Sequence, residues 1–440
     1  MSNSETSPDE SLELQGGHAR SGRFAPGRAA MWLLAKLLRR IVHSGRLTVN
    51  DAYGETWHFG PGGNPAVSIR LTDRKLPARL LANPSLALGE AYMDETLRIE
   101  SGSLRDFLAM CTSDMDAVDA LPGSRLRRWL DAIRTRSLHH NPIKRSHANV
   151  AHHYDISTAL YDLFLDADRQ YSCAYFPTGT ETLDEAQTLK KKHIAAKLLL
   201  QPGLEVLDIG SGWGGLAMEL AQQHGARVTG LSLSREQIAA ARDRAAQSGL
   251  SDRVSFEQRD YRQESGQYDR LVSVGMFEHV GRSGFGAFFK TVQRSLKPDG
   301  VAVVHAIGRM EPIGGSDPWI RKYIFPGGYL PTLSETIAAA ERSGLWVTDV
   351  EVLRLHYAQT LRHWSERFAA EREAARALYD ERFCRMWEFY LAVCEMAFRN
   401  GRLMVFQIQL AKRRDTVPLT RDYISEAESV TSQTDSEPTS

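Results

Sequence analysis

The chain has 440 residues, more than one average domain, and its 42% hydrophobic and 25% charged residues are the ordinary balance of a globular protein. Lys plus Arg and Asp plus Glu are 54 each, so the basic excess that marks a nucleic-acid binder is missing. Cys111, Cys173, Cys384 and Cys394 form no CxxC pair, which argues against a disulfide framework and a zinc site and fits a reducing cytosol.

Residues 1–28 are polar and aperiodic and read as a disordered tail, unlike a secretory signal. Over 29–42, Met31, Leu34, Leu37, Leu38 and Ile41 recur at helical spacing, with Lys36, Arg39, Arg40 and Arg46 around or just after that face. A basic amphipathic helix of this kind either docks on anionic lipid or packs on its own domain. The apolar run at Trp32 is too short to span a bilayer, so the protein is expected not to be integral to a membrane.

Strands follow at 46–49 and 67–71, separated by turn signals at Asp51-Ala52-Tyr53-Gly54 and Gly60-Pro61-Gly62-Gly63. With helices to about Trp129 they make 29–135 a small α+β domain. A basic linker at 134–145 leads into a second domain, 136–415. There, strands at 205–209, 227–231, 254–258, 270–274 and 301–306 alternate with helices that include 215–224 and 234–248. That alternation predicts an α/β class with a doubly wound, Rossmann-like parallel sheet. Strands at 346–353 and 404–410 complete it, and the helical stretch 358–398 between them folds back as a cap. Residues 416–440, rich in Ser, Thr, Glu and Asp, read as a second disordered tail.

Asp208-Ile209-Gly210-Ser211-Gly212-Trp213-Gly214 ends a strand and opens a helix. Glycines there let the backbone turn tightly and approach a ligand, which then sits at the carboxyl end of the strands. The spacing is GxGxG with an Asp two residues ahead. It resembles the S-adenosylmethionine motif of methyltransferases more than the dinucleotide fingerprint.

Reading outward from this loop, the sequence resembles the cyclopropane fatty acid synthase family. The resemblance is carried by His152-His153-Tyr154-Asp155, by Tyr171-Ser172-Cys173-Ala174-Tyr175-Phe176 and by Gly230-Leu231-Ser232-Leu233-Ser234-Arg235-Glu236-Gln237. It continues through Val274-Gly275-Met276-Phe277-Glu278-His279-Val280-Gly281, Val304-His305-Ala306-Ile307-Gly308 and Lys322-Tyr323-Ile324-Phe325-Pro326-Gly327-Gly328. It implies transfer of a methylene from S-adenosylmethionine across a cis double bond of an unsaturated phospholipid acyl chain, with bound bicarbonate as the base. The implied bicarbonate ligands are Cys173, through its backbone, Glu278, His305 and Tyr357. Read alone, His305 in an apolar strand is better explained as a satisfied core residue, and Tyr323 and Tyr329 rival Tyr357. Cys394 matches a family cysteine near the active site. It reads either as a pocket-lining thiol or as a buried structural one, since nothing in the reaction needs a thiolate.

The implied cofactor positions are Tyr171, Ser172, Asp208, Gly210, Ser211, Gly212, Trp213, Gly214, Ser232, Leu233, Gln237, Asp260 and Tyr261. Ser232 stands where many methyltransferases have an acidic residue for the ribose, so Gln237 is expected to take that role. The aromatics Tyr171, Tyr175, Phe176, Trp213, Phe277, Trp364, Trp387 and Tyr390 are candidates to line a tunnel that stabilises a cation and excludes water. The expected partner is a phospholipid bilayer surface, met from the cytoplasmic side by a peripheral enzyme, with a homodimer as one option. Rival readings give a methyl-branched, methylene or hydroxylated chain from the same cation, or a non-catalytic membrane-binding protein.

Overall fold

Two sheets organise the chain. The computed structural model describes residues 26–114, 157–310 and 317–434. The proposed linker, the motif at His152 and nearly all of the N-terminal tail lie outside them.

The first sheet belongs to α1 (Pro26–Ile41), β1 (Gly45–Asn50), β2 (Thr56–Gly62), β3 (Ala66–Leu71), α2 (Leu76–Ala82), α3 (Pro84–Met93), β4 (Leu97–Ser101) and α4 (Leu104–Thr112). Its order is β2-β1-β3-β4, with β1 and β3 parallel and the outer strands antiparallel. β2 and β4 exceed the sequence reading, which has turns and helices there. β2 is an edge strand with a mostly exposed, Gly- and Pro-containing run, so it carries no apolar alternation.

Helix α1 buries Met31, Leu34, Leu38 and Ile41 against this sheet. The helix therefore packs on its own domain, while Trp32 and Leu33 stay about half exposed on its other side and Lys36 Nζ lies 3.7 Å from the Trp32 ring.

The second sheet is built from α5 (Thr158–Asp162), α6 (Leu183–Lys197), β5 (Glu205–Ile209), α7 (Gly215–His224), β6 (Arg227–Ser232), α8 (Arg235–Gln247), β7 (Val254–Gln258), β8 (Tyr268–Val274), α9 (Phe285–Ser295) and β9 (Leu296–Arg309). It continues with α10 (Pro318–Tyr323), α11 (Leu333–Glu341), β10 (Trp346–Val352), α12 (His356–Ala370), α13 (Arg372–Leu378), α14 (Glu381–Arg399), β11 (Leu403–Ala411) and α15 (Asp422–Thr434). The order is β10-β11-β9-β8-β5-β6-β7, parallel from β9 to β7, with β11 antiparallel to both its neighbours. Helix α15 corrects the reading of 416–440 as wholly disordered. Its composition is polar, but Ile424 is buried and Glu428 bonds to His193 at 2.6 Å.

The cap helices α12 and α14 pack on each other and bring α14 against α3 and α4 of the first unit. Polar bonds fix that interface. Arg105 forks onto the buried Glu395 at 2.8 to 3.1 Å, Tyr92 donates to Glu388 at 2.9 Å, and Lys322 pairs with Glu90 at 2.7 Å. Guanidinium–carboxylate forks of this kind fix orientation as well as adding energy.

Candidate active site

The loop after β5 is held by backbone geometry. Gly214 has φ +83 and begins α7, and a Cβ there would meet Phe256 at 2.5 Å, so glycine is required twice over. Around the loop opens a cavity of about 150 Å³, lined by Tyr171, Ser172, Asp208, Gly210, Ser211, Gly212, Trp213, Ser232, Leu233, Gln237, Asp260 and Tyr261. Gly214 is absent from this lining and acts instead as the cap of α7.

The chemistry of this wall suits a cationic, hydroxyl-bearing cofactor. Asp208 is fully buried, and its Oδ2 has no hydrogen-bond partner among the described residues. Burial pushes its carboxyl up to about 7, against the field of Lys190. Ser232 Oγ donates to Gln237 Oε1 at 3.1 Å, which leaves the Gln237 amide nitrogen as the donor end. Asp260 is clasped by Arg262, with bonds of 2.7 and 2.8 Å from the guanidinium, so its charge is already compensated.

A second cavity, of about 220 Å³, adjoins the first; Tyr171, Ser172, Gly275 and His279 line both. Gly275 has φ +65, and among the described residues Ser172 Cβ, at 3.9 Å, is the sole atom within 4 Å of where its Cβ would be. The junction is therefore kept open by a missing side chain. Cys173, Glu278, His305, Tyr357 and Cys394 line this second cavity, with Phe325, Tyr390 and Phe398 supplying ring surface.

Glu278 lies in a 3-10 turn just past β8. Its Oε1 accepts from the Ile307 backbone N–H at 2.5 Å, while the buried Oε2 has no partner among the described residues. Burial raises its carboxyl to about 7. His305 is paired in register with Val274 of β8 and Gln407 of β11. Strand alternation sends Val304 and Ala306 into the core on one face of the sheet and His305 and Ile307 to the cavity face.

The tautomer of His305 follows from its neighbours. Lys197 Nζ, which can only donate, bonds to Gln407 Oε1 at 2.8 Å. Gln407 must then turn Nε2 to His305 Nδ1, 3.2 Å away, so the ring proton sits on Nε2. Burial holds the imidazole well below its ordinary value, so it stays neutral and offers a single N–H.

The rival tyrosines are engaged elsewhere: Tyr323 donates to Glu90 at 3.1 Å and Tyr329 to Glu335 at 2.9 Å. Burial pushes the Cys173 and Cys394 thiols far up, so neither is a thiolate.

The aromatic tunnel is narrower than the sequence reading. Tyr171 and Tyr390 line the cavity with their hydroxyls 2.8 Å apart, but Phe277 is buried in a separate core against Phe285. Tyr175 stacks on His193 at 4.2 Å, and Trp364 and Trp387 are fully buried behind the wall.

Sequence reasoning missed the support beneath the site. Lys190, fully buried on α6, donates to Gln170 Oε1 at 2.6 Å and to Ser172 Oγ at 2.9 Å, and burial lowers it to about 8. Lys197, Gln407, Glu351 and His193 form a second buried chain. The one sequence signal was a capping box at Thr182 and Glu185, which starts α6 and places Lys190 and Lys197 on a helix packed against the sheet.

A sheet of this topology, with a Gly-rich loop at the carboxyl end of β5 and acidic and amide side chains on the cofactor wall, defines the class of S-adenosylmethionine-dependent methyltransferases. Residues 141–408 match the family model described as mycolic acid cyclopropane synthetase, and residues 33–118 match a domain family described as of unknown function. The chain is 37% identical to a cyclopropane-fatty-acyl-phospholipid synthase of Escherichia coli, over 80% of this chain and 89% of that one. It is 36% identical to a tuberculostearic acid methyltransferase of Mycobacterium tuberculosis, over 89% of this chain and 93% of that one. Among solved structures, a mycolic acid cyclopropane synthase complexed with SAH and CTAB matches with a TM-score of 0.57 and 35% identity, covering 62% of this chain and 99% of that one. The chain belongs to the mycolic acid cyclopropane synthetase family.

Proposed function

We propose that this enzyme methylates the cis double bond of an unsaturated acyl chain within a phospholipid and closes a cyclopropane ring. The observation that carries this reading is Glu278. A buried carboxylate with one oxygen unpartnered, in an apolar cavity that opens onto the cofactor cavity, is costly unless a ligand meets it.

When bound, S-adenosylmethionine supplies an electrophilic methyl and bicarbonate supplies the base that accepts the proton lost on ring closure. Glu278, His305, Tyr357 and the backbone at Cys173 are the groups to hold the base. Glu278 Oε2 would be available to accept a hydrogen bond from such an ion, and the neutral His305 would have one N–H to donate to it. Neutral His305 and His279, the latter lowered to about 4 by burial, put no repelling charge beside the carbocation. Tyr171, Tyr357, Tyr390, Phe325 and Phe398 line the cavity, and their aromatic surface would stabilise the cation and keep water out.

Docking is assigned to the exposed Trp32 and Leu33 of α1 beside Lys36, Arg39 and Arg40, a combination suited to an anionic bilayer. Among the described residues no helix is long and apolar enough to cross a membrane.

The test is incubation with dispersed unsaturated phospholipid and labelled S-adenosylmethionine. A gain of one methylene with loss of the alkene supports the reading, and absence of label from lipid at full cofactor binding overturns it. The tuberculostearic relative makes product analysis decisive. A methyl branch without a ring assigns the same cation a different fate.

A further inference from the structure

A third cavity lies between the two units and is larger than either of the others, about 540 Å³. The first unit contributes Leu34 and Leu38 of α1, Val49 of β1, and Phe107 and Cys111 of α4. The second contributes Phe389, Val393, Met396 and Ala397 of α14. Protein interiors seldom keep apolar space open, and an apolar cavity of about 150 Å³ already takes up a benzene molecule rather than water. The walls are mainly apolar, with Ser85, Thr112, Arg309, Asp317 and Arg402 as the main polar side chains on them. Ser85 donates to Asp317, and Thr112 accepts from Asn400 at 3.0 Å.

Five residues, Asp317, Leu330, Val393, Ala397 and Leu403, line both this chamber and the catalytic cavity. The two spaces therefore adjoin along these residues. The Arg105–Glu395 fork and the Tyr92–Glu388 bond tie α4 and α3 to α14, which forms part of the chamber wall.

We propose that this chamber receives the methyl-terminal part of the acyl chain, beyond the double bond, so that the small domain is a tail receptor for the catalytic domain. The inference rests on the acyl reading above. A chain with its double bond beside Glu278 must continue past Val393 and Ala397, and the apolar space behind them is this chamber. The small domain then has a part in selecting chain length, separate from docking by the outer face of α1.

Two experiments on the full-length enzyme test this. In the first, a lysophospholipid carrying one octadecenoyl chain with a diazirine at its methyl end is doped into phosphatidylglycerol vesicles without S-adenosylmethionine, so labelling needs no turnover. Photolysis is expected to label Leu34, Leu38 or Ile41, or Phe107, Leu108 or Cys111, which line the chamber. Label confined to the catalytic cavity or to the outer face of α1 (Trp32, Leu33, Lys36, Arg39 and Arg40) overturns the proposal.

In the second, Cys111→Phe adds bulk to the chamber, with Val49→Phe as a second variant; both are checked for unaltered melting temperature and cofactor affinity. Conversion of octadecenoyl chains relative to tetradecenoyl chains with the double bond equally far from the carboxyl should fall about tenfold. An unchanged ratio overturns the proposal. Should the unaltered enzyme convert no acyl chain, the catalytic reading fails, and the photolabel still decides the chamber on its own.

Discussion

The cofactor cavity and the catalytic cavity touch along Tyr171, Ser172, Gly275 and His279, yet they are built in opposite ways. The first is made from strand ends, a Gly-rich backbone and paired charges such as Asp260 with Arg262. The second is a mainly apolar chamber in which the buried Glu278 and His305 are aligned by Ile307 and Gln407. On the proposed reading, one wall recognises a ligand by hydrogen bonds, and the other protects a reactive centre from water. A change should therefore separate binding from turnover according to the side it touches.

The sharpest break is Glu278→Gln, which should lower turnover by about a hundred- to ten-thousand-fold. Calorimetric affinity for S-adenosylmethionine should stay as it is; if affinity falls in parallel, the two cavities are not functionally separate. Next is Gly275→Val, which strains a φ of +65 and puts a side chain at the junction. Turnover should fall about a hundredfold, with product still formed from the correct double bond.

Gln407→Leu takes the amide donor away from His305 Nδ1 and leaves Lys197 without an amide partner. A loss of about tenfold in turnover is expected, and nitrogen NMR of His305 should lose its single-tautomer signature. An unchanged spectrum removes Gln407 from the mechanism.

The pH dependence is smaller. Glu278 and Asp208 each sit at about 7 in the fold, above ordinary carboxyl values. The folded state therefore holds their protons more tightly than the unfolded chain. Their contribution to stability is complete below the unfolded value and is lost as pH rises toward about 7. Melting temperature should decline across that window, and Asp208→Asn and Glu278→Gln should each flatten the decline. Smallest of all, Cys394→Ala should change turnover by less than about threefold, since its thiol is not ionised.

The strands of the second sheet were legible because β5 to β9 are short apolar runs set between helices, and the observed boundaries differ from the reading by a few residues at most at either end, apart from the early start of β9 at Leu296. β2 was not legible, because an exposed edge strand has no apolar alternation. Helix α15 was hidden by composition, since its order depends on distant contacts to α6. The same holds for the support of the site. Lys190 and Lys197 look like solvated charge in a helical run, and what makes them structural is Ser172, Gln170 and Gln407, far away in sequence. Periodicity reports which face is apolar; it does not report a polar network that closes only in three dimensions.

Helix α15 has a practical consequence. Glu428 holds His193 on one ring nitrogen, and the other meets Glu351, which accepts from Lys197, which in turn fixes Gln407 against His305. A polar stretch of this sort is what a protein chemist trims to improve expression. Cutting before Asp422 would leave every catalytic side chain in place and still remove the outermost rung of the ladder that orients the imidazole. A shortened enzyme with full cofactor affinity and poor turnover would thus reflect the cut itself rather than the chemistry of the intact chain.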